Sequence, residues 1–94
     1  PNVRTCGFKD LLERLPEDIQ KAAQAAYRFF LVSPNHPILR NHELKATRSG
    51  RHKVGSRAVS VTFRYRAIYV TDGPTNVWYW IGSHEDYNNF TGMK

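Results

Sequence analysis

The feature that most constrains this chain is a change of hydrophobic period partway along it. Phe8, Leu11, Leu12 and Leu15 fall at i, i+3, i+4 and i+7, one face of a helix. Ile19, Ala22, Ala23, Ala26, Tyr27 and Phe30 continue on a second helical stripe. From Arg57 the period becomes two, with Val59, Val61 and Phe63 alternating with Ser60, Thr62 and Arg64. That alternation marks a half-buried strand, because successive side chains in a strand point to opposite faces. No single element satisfies both periods. Helices followed by strands give an α+β architecture.

Boundaries follow from the breakers. A short helix is expected over Phe8–Leu15 and a longer one over about Pro16–Leu31, with Glu17 and Asp18 at its electropositive start. Ser33-Pro34-Asn35-His36-Pro37 ends it, since a residue before proline is pushed out of the helical region. Ile38–Ala46 reads as an ambiguous, extended segment. Thr47–Ser56 is polar and basic with two glycines, and reads as an exposed loop. Strands are expected over 57–64, 65–71 and 76–81, the last two joined by the turn residues Asp72-Gly73-Pro74. The third is apolar on both faces, as a covered inner strand should be, with Trp78 and Trp80 on the same side. Gly82-Ser83 should break it, and His84–Phe90 should form a terminal helix capped by Ser83. Val3–Gly7 can add an edge strand. The expected architecture is two N-terminal helices packed on one face of a twisted antiparallel sheet of about four strands, as one domain over residues 1–94.

Composition narrows the function. No apolar run approaches the ~18 residues that span a bilayer, so no membrane partner is expected. The first ten residues lack the apolar core of a secretory leader, which points to a cytoplasmic protein. The single Cys6 cannot form an internal disulfide and is read as a packing residue. Four histidines and one cysteine show no zinc-like spacing, so no metal or other cofactor is expected. The net charge is +6. Lys45, Arg48, Arg51, Lys53 and Arg57, followed by Arg64 and Arg66, concentrate it in the middle of the chain. Phe63, Tyr65 and Tyr69 are interleaved with these cations, a mixture that suits RNA, which is held by phosphate contacts and stacking together.

Several segments resemble one family. Leu15-Pro16-Glu17-Asp18-Ile19-Gln20, Ala26-Tyr27-Arg28-Phe29-Phe30 and Pro34-Asn35-His36-Pro37 are similar to the helical hairpin of RelE/ParE-superfamily toxins. Tyr65-Arg66-Ala67-Ile68-Tyr69 resembles their central strand, and the run from Val77 through Gly82-Ser83-His84 to Tyr87 resembles the last strand and turn of one branch. The resemblance covers nearly the whole chain in order. It implies a RelE-like toxin of a type II toxin–antitoxin system, a metal-independent endoribonuclease that cuts messenger RNA on the ribosome. It also implies an antitoxin partner, and the charge of this chain makes that partner acidic. A ParE-like inhibitor of DNA gyrase and an inactive RNA-binding module are the alternatives.

RNA cleavage without a metal needs a proton acceptor for the 2′-hydroxyl, cations for the crowded phosphate and an acid for the leaving oxygen. The resemblance puts a catalytic His or Arg at the turn after the last strand, which is His84 here, and a phosphate-binding arginine on the central strand, which is Arg66. It draws a base or a cation from the segment holding His42, Glu43 and Lys45, where Glu43 can be the base and Lys45 a phosphate ligand. Tyr87 is the candidate aromatic. The family's late tyrosine falls nearer Phe90 in this register, so the RelE constellation is not reproduced residue for residue. Arg64 can share the role of Arg66, and Lys45, Arg48, Arg51, Lys53 and Arg57 are assigned to RNA backbone.

Overall fold

A computed structural model describes residues 1–93. In chain order it contains β1 (Asn2–Arg4), α1 (Cys6–Glu13), α2 (Glu17–Val32), a 3-10 turn at Pro37–Leu39, β2 (His42–Glu43), β3 (Arg57–Thr62), β4 (Tyr65–Asp72), β5 (Thr75–Ser83) and α3 (His84–Thr91). Each helix starts where local chemistry favours it. The Thr5 hydroxyl accepts the Phe8 amide at the head of α1, and Ser83 accepts the Asp86 amide at the head of α3. Pro16 precedes α2, with Glu17 and Asp18 in its first turn.

The strands form one five-stranded sheet in the order β1-β5-β4-β3-β2. β1 runs parallel to β5, and the other pairings are antiparallel. The sheet is therefore mixed and one strand wider than four antiparallel strands. The N-terminus returns to the sheet edge because Asn2 anchors it there. Its Oδ1 accepts from Trp78 Nε1 at 3.0 Å and from Asn76 Nδ2 at 3.2 Å.

Helices cover both faces, not one. Phe8 and Phe30 of α1 and α2 pack with Val59, Ala67, Tyr69, Trp78 and Ile81 on one side. Tyr87 of α3 packs with Leu44, Ala58, Ile68 and Trp80 on the other. The two tryptophans thus lie on opposite faces, contrary to strict alternation. The cause is a β-bulge: Tyr69 opposes Trp78, and Ile68 opposes Trp80, which leaves Tyr79 as an extra residue. Gly82-Ser83 does not break β5 either. Gly82 pairs with Arg66 and Ser83 with Tyr65, and the strand ends only where Ser83 caps α3.

Three smaller expectations also change. Cys6 is exposed at the start of α1 rather than packed. Tyr27 stays exposed although it lies on the helical stripe, and Phe30 is the buried residue of α2. The segment after β2 is not a free loop, since Ser56 is fully buried and His52 is half-buried.

Candidate active site

The site is built on the face of the sheet that carries α3. Arg66 projects there from β4, two residues before Ile68 of that face's core. Its Nη1 faces the carbonyl oxygens of Thr62, Phe63 and Tyr65 at 3.1, 3.1 and 3.2 Å. The turn between β3 and β4 therefore orients the guanidinium, and Nε and Nη2 remain to bind a ligand. Gly82, its partner on β5, has no side chain, and the Trp80 indole lies across it beside the guanidinium's strand.

Tyr87 reaches the site from α3 and Arg40 from the segment before β2. Burial pulls the Arg66 guanidinium below its ordinary value; Tyr87 counteracts this and Arg40 adds to it. Burial pushes the Tyr87 phenol above its ordinary value of 10, and Arg66 works against that. At neutral pH Arg66 is charged and Tyr87 carries its proton, available for donation. Two guanidiniums that repel one another, with no acidic partner among the described residues, can hold an anion. Among the described residues the one ion pair is Lys21–Glu17, at the start of α2, so neither Glu85 nor Asp86 neutralises Arg66.

Arg40 is the one non-glycine with positive φ among the described residues (φ 49, ψ 40). A left-handed backbone at an L-residue with a Cβ costs about 1 kcal/mol. Here it turns the chain so that the Arg40 carbonyl meets His42 Nδ1 at 2.7 Å. A carbonyl can only accept, so Nδ1 carries a proton, and in the neutral imidazole Nε2 is the lone-pair acceptor. That Nε2 lies 3.5 Å from the Tyr87 hydroxyl, a long contact of the kind that tightens when a ligand closes a site.

The candidate residues separate into groups. Arg66, Tyr87 and His42 come together, joined by Arg40. His84 stands at the first position of α3 on the rim, exposed, its ring 6.4 Å from that of Tyr87 and inclined by 26°. Glu43 follows His42 in β2 and so points to the opposite side; the base-type group the fold delivers is His42. Arg64 lies in the β3–β4 turn rather than on a strand, exposed, and its carbonyl accepts the His84 amide at 2.6 Å. Arg57 is half-buried and its Nε bonds Asn41 Oδ1 at 2.8 Å, a structural contact. Lys45, Arg48, Arg51 and Lys53 are exposed on the segment beside α3. Arg40 has no signal in the sequence, because its place depends on one backbone conformation.

No family model and no curated protein matches the sequence. Solved structures do match in fold. YafQ from E. coli strain BL21(DE3) superposes with a TM-score of 0.66 at 14% identity, covering 93% of this chain and 96% of that one. A chain of the RelB–RelE antitoxin–toxin complex from Methanococcus jannaschii gives 0.63 at 14%, covering 94% and 96%. A chain of the toxin–antitoxin complex RelBE2 from Mycobacterium tuberculosis gives 0.60 at 22%, covering 88% and 95%. At these identities the likeness is one of fold, and it extends over almost the whole of each chain.

Proposed function

We propose that this chain, which has the fold of RelE- and YafQ-type toxins, is the toxin of a type II toxin–antitoxin pair and cuts messenger RNA on the ribosome without a metal. The observation that carries the reading is the convergence of Arg66, Arg40, Tyr87 and the tautomer-fixed His42 on one open face.

The chemistry is an internal transesterification. The 2′-hydroxyl oxygen attacks the adjacent phosphorus, and the bond from phosphorus to the 5′-oxygen breaks. His42 Nε2 accepts the 2′ proton, and the Tyr87 phenol supplies a proton to the departing 5′-oxygen. The products are a 2′,3′-cyclic phosphate and a 5′-hydroxyl. Arg66, through Nε and Nη2, and Arg40 hold the non-bridging oxygens, whose charge grows in the transition state. His84, at the rim, can return a proton to Tyr87 through one water. Lys45, Arg48, Arg51 and Lys53 hold RNA backbone, messenger or ribosomal, by neutralising phosphates.

The antitoxin in this reading is acidic and covers Arg40 and Arg66. Support comes from the net charge of +6 and from Phe29, Ile38 and Phe63, which are exposed around a groove that also reaches both arginines. Ribosomal action would place the protein in the cytoplasm; no helix of the described residues is long and apolar enough to cross a membrane.

The test is induced expression of the wild type, Arg66→Ala, His42→Ala and Tyr87→Phe, with primer extension on cellular messenger RNA. In-frame cuts that disappear in Arg66→Ala and His42→Ala support the reading. Growth arrest without cuts, unaffected by the substitutions, would move the target to gyrase or elsewhere.

A further inference from the structure

The eight residues of α3 are too few to hold a helix by themselves. Its last carbonyls also lack partners within the helix, as at any helix end. Gly92 and Met93 amides close on Asn88, but Phe90 and Thr91 are served from elsewhere in the chain. The Arg51 amide donates to the Phe90 carbonyl at 2.8 Å, and the Thr47 hydroxyl donates to the Thr91 carbonyl. The Arg51 guanidinium lies 5.7 Å over the Phe90 ring. A Cβ on Gly92 would stand 2.6–2.8 Å from Thr47 Oγ1, Ser49 Oγ and the Gly50 amide, so the contact is close along its length. The basic segment 44–56 is thus the C-terminal cap of α3, supplied from outside the helix.

On the side of the sheet, Tyr79 fastens that segment. Tyr79 Oη accepts the Lys53 amide at 2.9 Å and shares a hydrogen bond with Ser56 Oγ at 2.6 Å. Ser56 is completely buried, and its carbonyl takes the Leu44 amide at 2.8 Å, which ties the two ends of the segment together. Lys53 Nζ lies 5.1 Å over the Tyr79 ring. Tyr79 can do this because it is the extra residue of the β5 bulge. The bulge aims two consecutive aromatics at one face, Tyr79 under the segment and Trp80 under α3, where Trp80 stacks on Phe90 at 5.1 Å and 17°.

We propose that Tyr79 is a positioning residue for the candidate active site, latching the basic segment so that segment and α3 hold one another and keep Tyr87 beside Arg66 and His42. The role given to Tyr87 rests on the proposed ribonuclease reading; the mechanical coupling does not. Thr91 completes the connection within the helix, since its buried hydroxyl donates to the Tyr87 carbonyl at 2.8 Å. A polyanion bound to Lys45, Arg48, Arg51 or Lys53 would tighten the same unit, so that ligand capture and site assembly are coupled.

The experiment is amide hydrogen exchange on the full chain, wild type against Tyr79→Phe, with tyrosine ¹³Cζ titration as a second readout. Tyr79→Phe keeps the ring and removes only the hydroxyl. Exchange at Arg51, Lys53 and along α3 is expected to rise together by about ten- to thirtyfold, the factor implied by losing both hydrogen bonds of the Tyr79 hydroxyl at ordinary net strength. Amides of α1, α2 and β4 should keep their rates. The Tyr87 ¹³Cζ signal, assigned with Tyr87→Phe, should titrate closer to the ordinary phenol range as the helix loosens. Thr47→Val, which cuts the cap from the other side, should loosen α3 while leaving Lys53 protected. Faster exchange in the segment with α3 and the Tyr87 titration unchanged would overturn the proposal, as would an equal rise over the whole molecule. Neither readout needs RNA cleavage, so loss of the ribonuclease reading and loss of the latch are separable results.

Discussion

Gly82→Ala places a methyl group where the Trp80 indole lies. An added Cβ would be 2.8 Å from Trp80 Cη2 and 2.9 Å from Cζ2. Reaching ordinary contact requires the ring edge to retreat by roughly 0.6 Å. The indole cannot do so freely, since it is packed at 9% exposure, stacked on Phe90 and 6.2 Å from the Tyr87 ring. Overpacking of this kind costs about 1–3 kcal/mol. Replacing glycine within a strand returns about 0.5–1 kcal/mol through the unfolded chain. The net expectation is a loss of about 1–2 kcal/mol, which for a domain of this size lowers Tm by about 5–15 °C. Thermal unfolding followed by circular dichroism measures it. Trp80→Phe removes the benzo edge that carries the clash, so the double variant should lose less than the sum of the single variants, with a coupling of about 1 kcal/mol. An unchanged or raised Tm in Gly82→Ala, or strict additivity, would refute the account. Because Trp80 supports α3, the proposed ribonuclease reading also expects RNA cleavage in Gly82→Ala to fall by more than the folded fraction explains.

Tyr87→Phe tests the phenol. A group whose folded value is raised contributes stability that is complete below its ordinary value, here 10, and is lost as pH rises through the folded value. Wild type should therefore lose stability above about pH 10 and Tyr87→Phe should lose less there; parallel pH profiles would count against a buried phenol. Asn2→Ala strips Trp78 Nε1 of its acceptor and should cost about 1–3 kcal/mol, the penalty for a buried unpaired donor, as read by urea denaturation. Replacing Lys45, Arg48, Arg51 and Lys53 singly by Gln should reduce the salt slope of binding to a single-stranded RNA by about 0.7 each, while Arg57→Gln should lower stability and leave the slope; equal slopes throughout would remove the phosphate-binding role. Arg66→Lys should lose most of the binding gained from Arg66, because an ammonium cannot reproduce the guanidinium fork held by three carbonyls. Titration with a short RNA reads this, and affinity equal to wild type would argue for a point charge alone.

Local chemistry determined a good deal. Helix and strand periods, proline breakers and the Ser83 cap depend on neighbours a few residues apart, so α1, α2, α3 and β3–β5 were legible from one sequence, to within a residue or two at most ends. Arg66 and Tyr87 were also visible as candidates, because they sit on segments that resemble a family. Tertiary structure alone decided the remainder. The bulge at Tyr79 is a matter of register between β4 and β5, and it reverses the face of every residue before it relative to those after it. The same register leads Trp80 across Gly82, the partner of Arg66. Whether His42 or Glu43 faces the site depends on a two-residue pairing of β2 with β3 and on the left-handed turn at Arg40. The basic segment reads as a solvated loop because its anchors, Tyr79, Phe90 and Thr91, lie 23 to 44 positions away in sequence. Periodicity carries information about which face of its own element a residue occupies. It carries none about which distant residues share that face, and the site is made of the latter.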